Sequence, residues 1–364
     1  MQLSEPLTAT RWRYWQIVLT LAAKDIVDAL KNKTTLTIVL GLGMMMLTVE
    51  ALPLLLKLDS RPRLAIYDAA RTTLADELRR EGDVQVMELR AAEDAAAQAR
   101  QASSPLLAVS LPADWADSSG PLLLTGYLGH WLSAAETATL VRAAEANLGR
   151  LTGRSVTIQP ETVYPTLEQG GHSLMVALGL LLAVTLITTT LVPYLILEEK
   201  SGHTLELLRV SPASVNQILL GKGLAGFVYG LVATAVLVAF NFSLINYWGL
   251  FLLTMVALIL FGVGLGLLIG SLVENEGAVQ MWVAGLIVVL SFPLMLAFLN
   301  SSRLPDWIQT VSAWLPTTAA FDLVRLSFGD LWSAGMIVAR LASLLGTGLL
   351  IFLLAGWRLR RWES

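Results

Sequence analysis

From Phe251 to Leu272 the chain carries no charged side chain. About 20 apolar residues cross the hydrocarbon of a bilayer, so such a run is read as a membrane span. Comparable runs occupy Ser173 to Leu197, Leu224 to Ile245, Val279 to Leu299 and Met336 to Trp357, and another lies near the start, at Thr34 to Leu56. With 55% hydrophobic and 15% charged residues, the chain falls outside the soluble range of roughly 25% charged. The expected fold class is an α-helical polytopic membrane protein of about six transmembrane helices, with one folded domain inserted outside the membrane.

The rest of the composition mainly excludes. There are no cysteines, so no disulfide staples the external part and no thiolate metal site exists. His130, His172 and His203 are scattered without metal-ligand spacing, and no catalytic cluster stands out. No Gly-x-x-x-x-Gly-Lys-Ser/Thr loop occurs, and Gly221-Lys222-Gly223 lacks both the upstream glycine and a preceding strand. If ATP drives this protein, another chain binds it. The formal charge of -3 says little, because the position of each charge relative to the spans matters more than the sum.

Residues 1–33 form a cytoplasmic N-terminus with an amphipathic helix. Trp12, Trp15, Leu19, Ala22, Ile26 and Leu30 share one face, and Arg13, Thr20, Lys24, Asp28 and Lys31 the other. That pattern predicts an interfacial helix lying flat at the membrane, with Lys24 and Asp28 paired at i,i+4. Residues 34–57 are the first span, a retained anchor whose preceding Lys24, Lys31 and Lys33 put the N-terminus inside. Residues 58–171 hold most of the acidic and basic residues and no spanning run, and alternate predicted strands and helices. Strands are expected at Arg63–Asp68, Val84–Leu89, Leu106–Ser110, Leu122–Leu128 and Val156–Ile158, and helices at Thr73–Arg80, Ala92–Ala102 and Ser133–Leu148. This is an extracytoplasmic α/β domain. Residues 172–364 supply five further spans, with short external helices over 300–334; Arg358, Arg360 and Arg361 hold the C-terminus inside.

Within this frame one short charged segment, 198–215, lies between the second and third spans. Gly202 breaks the preceding helix, Thr204 can cap a new one running to Arg209, and Ser211-Pro212 stops it. Glu206 and Arg209 share one face, and Leu205 and Leu208 another. On physics alone a docking helix and a plain solvated connector fit equally well. Elsewhere, Gly262, Gly266 and Gly270 repeat every four residues, flattening one face of the fourth span for helix packing. Pro193 should kink the second span or mark where it unwinds. Glu50 lies inside the first span and is a functional candidate by default, or else reaches the outer interface. Asp322 and Arg325, three apart, are expected to pair, as a local salt bridge or as part of a translocation path.

The run Glu198-Glu199-Lys200-Ser201-Gly202-His203-Thr204-Leu205-Glu206-Leu207-Leu208, then Ser211-Pro212-Ala213-Ser214 and Leu219-Leu220-Gly221-Lys222, resembles the coupling segment of ABC-2 type transporter permeases. Trp314-Leu315-Pro316-Thr317-Thr318 followed by Phe321-Asp322-Leu323-Val324-Arg325 is similar to the same family. A strand ending in Asp68, the turn Leu111-Pro112-Ala113-Asp114-Trp115 and a long helix back to the membrane look like the subgroup with a large external insert after the first span.

The resemblance implies an exporter permease in a bacterial inner membrane, multi-pass, with both termini cytoplasmic and no ATPase site of its own. ATP and Mg would be bound by separate ABC ATPase subunits. Glu198, Glu199, Gly202, Thr204, Glu206, Leu207, Arg209 and Pro212 would form the contact, with Lys222 fixing the base of the third span at the headgroups. A second permease, identical or related, would complete the path amid membrane lipid, and no nucleic acid is involved. A rival reading is an ion-coupled secondary transporter or sodium-extrusion system using Glu50; it calls for internal repeats and several midplane charges, which are not found.

Overall fold

The computed structural model describes residues 7–31, 61–117, 120–167, 171–201, 214–298, 314–329 and 333–360, besides a few single positions near 41–44 and 305–312. The first span, with Glu50, and the charged segment from Gly202 to Ala213 lie outside the described residues.

Helix α1 covers Leu7–Lys31. An α/β unit follows: β1 (Arg63–Asp68), α2 (Leu74–Glu81), β2 (Gln85–Glu88), α3 (Asp94–Gln101), β3 (Leu107–Leu111), β4 (Leu122–Gly129), α4 (Ala134–Thr152) and β5 (Val156–Val163). The strands form one sheet in the order β2-β1-β3-β4-β5. β1 runs parallel to β2 and β3, β4 antiparallel to β3, and β5 parallel to β4. Parallel neighbours require crossovers, and α2, α3 and α4 supply them. Side-chain alternation sorts the faces: Leu64, Ile66, Leu107 and Val109 pack under α2 and α4, while Ala65 and Ala108 meet Ala95 and Ala99 of α3. Small residues on that second face let α3 sit close to the sheet. β5 runs on past Pro160 to Val163, further than its apolar pattern indicates, because a proline is tolerated on an edge strand.

The strand-ending Asp68 and the turn residue Trp115 find each other across this unit. The Asp68 carboxylate accepts from Trp115 Nε1 at 2.8 Å, from the Ala70 amide at 3.0 Å and from the Thr72 amide at 2.7 Å, with the Thr72 hydroxyl as a fourth donor. Burial by itself raises the Asp68 pKa, but the bonds from Thr72, Trp115 and the two backbone amides outweigh it, and the carboxyl is held below its usual value. A depressed folded pKa contributes stability that is present above the unfolded value of about 3.9 and lost as pH falls through the folded pKa. Asp68→Asn is therefore expected to weaken the unit at pH 7 and to flatten the acid limb of its stability profile. Hydrogen exchange of the β1 and β3 amides between pH 3 and pH 7 reads this directly.

The remaining elements are helical: α5 (His172–Ser201), α6 (Val215–Asn241), a 3-10 turn (Phe242–Leu244), α7 (Trp248–Leu272), α8 (Glu276–Phe298), α9 (Pro316–Phe328) and α10 (Ala334–Arg360). Among the described residues α5, α6, α7 and α10 are long and apolar enough to cross a membrane. α5 stays helical through Pro193 to Ser201 and does not unwind there. α7 carries the glycine ladder, and it lies against α5. A Cβ on Gly262 would stand 2.0 Å from Thr188 Oγ1, one on Gly266 2.7 Å from Val192 Cβ, and one on Gly270 2.6 Å from Ile196 Cδ1. Thr188, Val192 and Ile196 repeat every four residues, so ridge and groove match. Gly226 and Gly230 of α6 make the same close approach, to Val192 and to Ile259 with Thr188.

The α/β unit is tied to one end of this bundle. Arg325 of α9 donates to the Thr166 carbonyl at 2.6 Å and to that of Leu167, His130 Nε2 lies 3.0 Å from the Leu244 carbonyl, and Ser243 Oγ donates to the Trp131 carbonyl at 3.1 Å. The connection between α6 and α7 closes on α9: the amides of Asn246 and Tyr247 both donate to Ser327 O, at 3.0 and 2.9 Å.

Candidate functional site at the foot of the bundle

The other end of the bundle is where α5 ends and α6 begins, on either side of the charged segment. Ser214 caps α6: its hydroxyl accepts from the Gln217 amide at 3.4 Å, and Gln217 Oε1 accepts from the Ser214 amide at 2.8 Å. This reciprocal pair satisfies two donors that a bare helix start leaves open. Gln217 also reaches the Tyr14 carbonyl of α1, Nε2 to O at 3.4 Å.

Helix α1 lies along α6. Val18 and Ala22 are buried there, and a Cβ on Gly221 would stand 2.8 Å from Leu21 Cβ and 3.4 Å from the Val18 carbonyl. Gly221 thus lets the two backbones meet. Further along, the Tyr229 hydroxyl donates to the Ile26 carbonyl at 2.9 Å. Trp12, Trp15 and Leu19 form a separate stripe that stays exposed, while Ala22, expected on the same face as these, packs inward. Lys24 and Asp28 pair at 3.9 Å as their spacing predicts.

The chemical centre of this foot is Lys222. Its side chain is 4% exposed, and its Nζ lies 3.4 Å from Asp25 Oδ2, itself on a 7% exposed side chain, and 2.7 Å from the Leu195 carbonyl of α5. Lys222 is thus not a headgroup anchor: it is buried, and one ammonium joins α1, α5 and α6. Charges leave water at a cost of several kcal/mol each unless paired and hydrogen-bonded, and here the lysine has both a carboxylate and a carbonyl.

Asp25 was legible only indirectly. It continues the Val18–Ala22 stripe at i+7, an acidic residue where an amphipathic helix should bury an apolar one. Its partner lies 197 residues further on, and no local pattern supplies that. Of the proposed contact residues, Glu198 is exposed on the last turn of α5, Glu199 lies in the helix with its side chain undescribed, and Gly202, Thr204, Glu206, Leu207, Arg209 and Pro212 lie outside the described residues.

The candidate path residues sit elsewhere. Asp322 does not pair with Arg325 alone at i+3; its carboxylate accepts from Arg340 of α10 at 2.9 Å. Arg325, 6% exposed, is turned onto the Thr166 and Leu167 carbonyls, with its guanidinium 5.5 Å from the Phe321 ring centre. The i,i+3 spacing brought the two charges near each other, but carbonyls and a cation from other elements offered better geometry. The two residues therefore fix α9 to the α/β unit and to α10.

No curated protein matches the chain. A protein-family model described as ABC-2 family transporter protein matches residues 33–357.

Proposed function

The chain belongs to the ABC-2 family of transporter proteins, and from that premise we propose that it is the permease subunit of an ATP-driven exporter in a bacterial inner membrane. Membership makes it a membrane-embedded transport component that works with ABC ATPase subunits. In our reading the chain crosses six times with both termini cytoplasmic, counting Thr34–Leu56 and α8 as spans, and the α/β unit stands outside. Two permeases, identical or related, enclose the path. ATP and Mg are bound by the partner ATPase, and this chain hydrolyses nothing.

The observation that carries the reading is the Lys222 clamp. It joins the helix leading into the charged segment, the helix leading out of it, and α1. A push on the segment is then delivered to three helices as one body, which is what a rigid-body switch requires. Glu198, Glu199, Thr204, Glu206 and Arg209 make the ATPase contact, Leu207 its apolar side, and Gly202 and Pro212 bound it. No observation favours the ion-coupled rival.

The test compares wild type with a Glu206→Arg, Thr204→Pro double variant, each purified from native membranes in mild detergent with copurifying nucleotide-binding proteins identified. An ABC ATPase should accompany wild type and be lost from the variant, while the yield and elution of the chain stay the same. If wild type brings down no ATPase, the coupling mechanism is wrong.

A further inference from the structure

Two of the chain's three histidines lie where the α/β unit joins the bundle. His130 follows directly on β4, and His172 opens α5. The His130 ring packs on Tyr164, centre to centre 5.0 Å, and neighbouring Trp131 packs on the His172 ring at 4.5 Å. On the bundle side, the partner of His130 Nε2 is the Leu244 carbonyl at 3.0 Å. A carbonyl only accepts, so Nε2 carries the proton and, in the neutral ring, Nδ1 does not.

Nδ1 is buried and has no partner among the described residues. Protonation would turn it into a donor and place a full charge there. The surroundings offer that charge nothing. The small cavity beside the ring is lined by Arg100 of α3, Trp131, Pro165 and Ser173 among others, and its one charged side chain besides His130 is the cation Arg100. The segment after β5 adds Tyr164, α5 adds His172, and the 3-10 turn adds a carbonyl but no titratable side chain. Arg325 of α9, a second cation, is held nearby on the Thr166 and Leu167 carbonyls. Among the described residues none of these groups is a carboxylate. A buried charge without a counter-ion is costly, and burial accordingly pushes the His130 pKa below its usual 6.5, with the Leu244 bond offsetting only part of the shift.

We propose that His130 is an acid-released latch between the α/β unit and the bundle: neutral, it holds the Leu244 carbonyl, and protonated, it leaves the junction and loosens the unit from the turn between α6 and α7. A released imidazole takes up its proton near pH 6.5, whereas the docked one resists. Docking is therefore at full strength above about pH 6.5 and weakens as pH falls toward the lower docked pKa. Which compartment supplies the acid rests on the permease reading; the latch does not.

The test follows amide hydrogen exchange of the full chain in detergent between pH 7.5 and pH 5, corrected for the intrinsic pH dependence of exchange. Two peptides report on the junction, one holding His172, whose amide donates to the Ala102 carbonyl, and one holding Leu244 to Tyr247. Their protection should fall by up to about tenfold per pH unit below pH 6.5, the slope for one proton, while peptides from the middle of α7 stay level. His130→Gln keeps an N–H for the Leu244 carbonyl and cannot charge, so its junction protection should match wild type at pH 7.5 and stay level to pH 5. His172→Gln should still show the fall. Junction protection in wild type that does not change with pH, an equal fall in His130→Gln, or a fall shared by α7 overturns the proposal. Should His130→Gln already be loosened at pH 7.5, an NMR titration of the histidine rings in wild type decides: a His130 midpoint below 6.5 supports the latch, and one at or above 6.5 overturns it. No arm uses ATP or a partner chain, so a failure here leaves the permease reading standing, and a missing ATPase in the pull-down leaves the latch standing.

Discussion

Asp25→Leu is expected to lower stability by about 3–5 kcal/mol, the usual cost of removing one member of a buried ion pair. The loss arises because the Lys222 ammonium, on a side chain 4% exposed, keeps its desolvation cost without this carboxylate. Replacing both partners, Asp25→Leu with Lys222→Met, should recover most of it, since a well-packed apolar pair is often neutral relative to a buried salt bridge. Thermal unfolding of the detergent-purified chain should therefore rank wild type and the double variant together, above the single variant. Transport then separates a coupling role from a purely structural one. In proteoliposomes with the partner ATPase, the double variant should be stable yet poorly coupled, because van der Waals contact does not hold α1, α5 and α6 in one register as the lysine does. Wild-type transport by the double variant would reduce the clamp to a packing device.

Gly266→Ala should destabilise the bundle by about 1–3 kcal/mol, the range for overfilling a packed interior. The added Cβ would stand 2.8 Å from the Thr188 carbonyl oxygen and 2.7 Å from Val192 Cβ. A backbone carbonyl cannot turn away as a long side chain can, so α5 and α7 must separate. Gly285→Ala on α8 is the control. Nothing among the described residues comes within 4 Å of its Cβ position, and alanine is favoured over glycine in a helix by about 1 kcal/mol. The two variants should thus shift the unfolding midpoint in opposite directions. A Gly266→Ala protein as stable as wild type would mean that α5 and α7 do not pack through their backbones.

Much of the fold could be read along the chain because its determinants are local. Apolar runs set the positions of α5, α6, α7, α8 and α10, and alternation marked each strand of the α/β unit to within a few residues, except where β5 passes Pro160 to end at Val163. The glycine ladder of α7 was legible from its spacing, although its partners Thr188, Val192 and Ile196 were not. Asp68 and the turn containing Trp115 stood out as separate features; that one side chain is the hydrogen-bond partner of the other became clear only in the folded unit.

What the sequence determined by itself is the class of the molecule: a helical membrane chain of the ABC-2 family with a charged segment between two spans. What only the tertiary structure decided is which charges meet. Asp25 chose Lys222, Asp322 chose Arg340, and Arg325 turned to the Thr166 and Leu167 carbonyls. Periodicity reports which side of a helix is apolar, but a buried charge is stabilised by whichever donor or acceptor the fold brings within about 3 Å. That partner comes from a distant part of the chain, and its identity is set by how the helices pack.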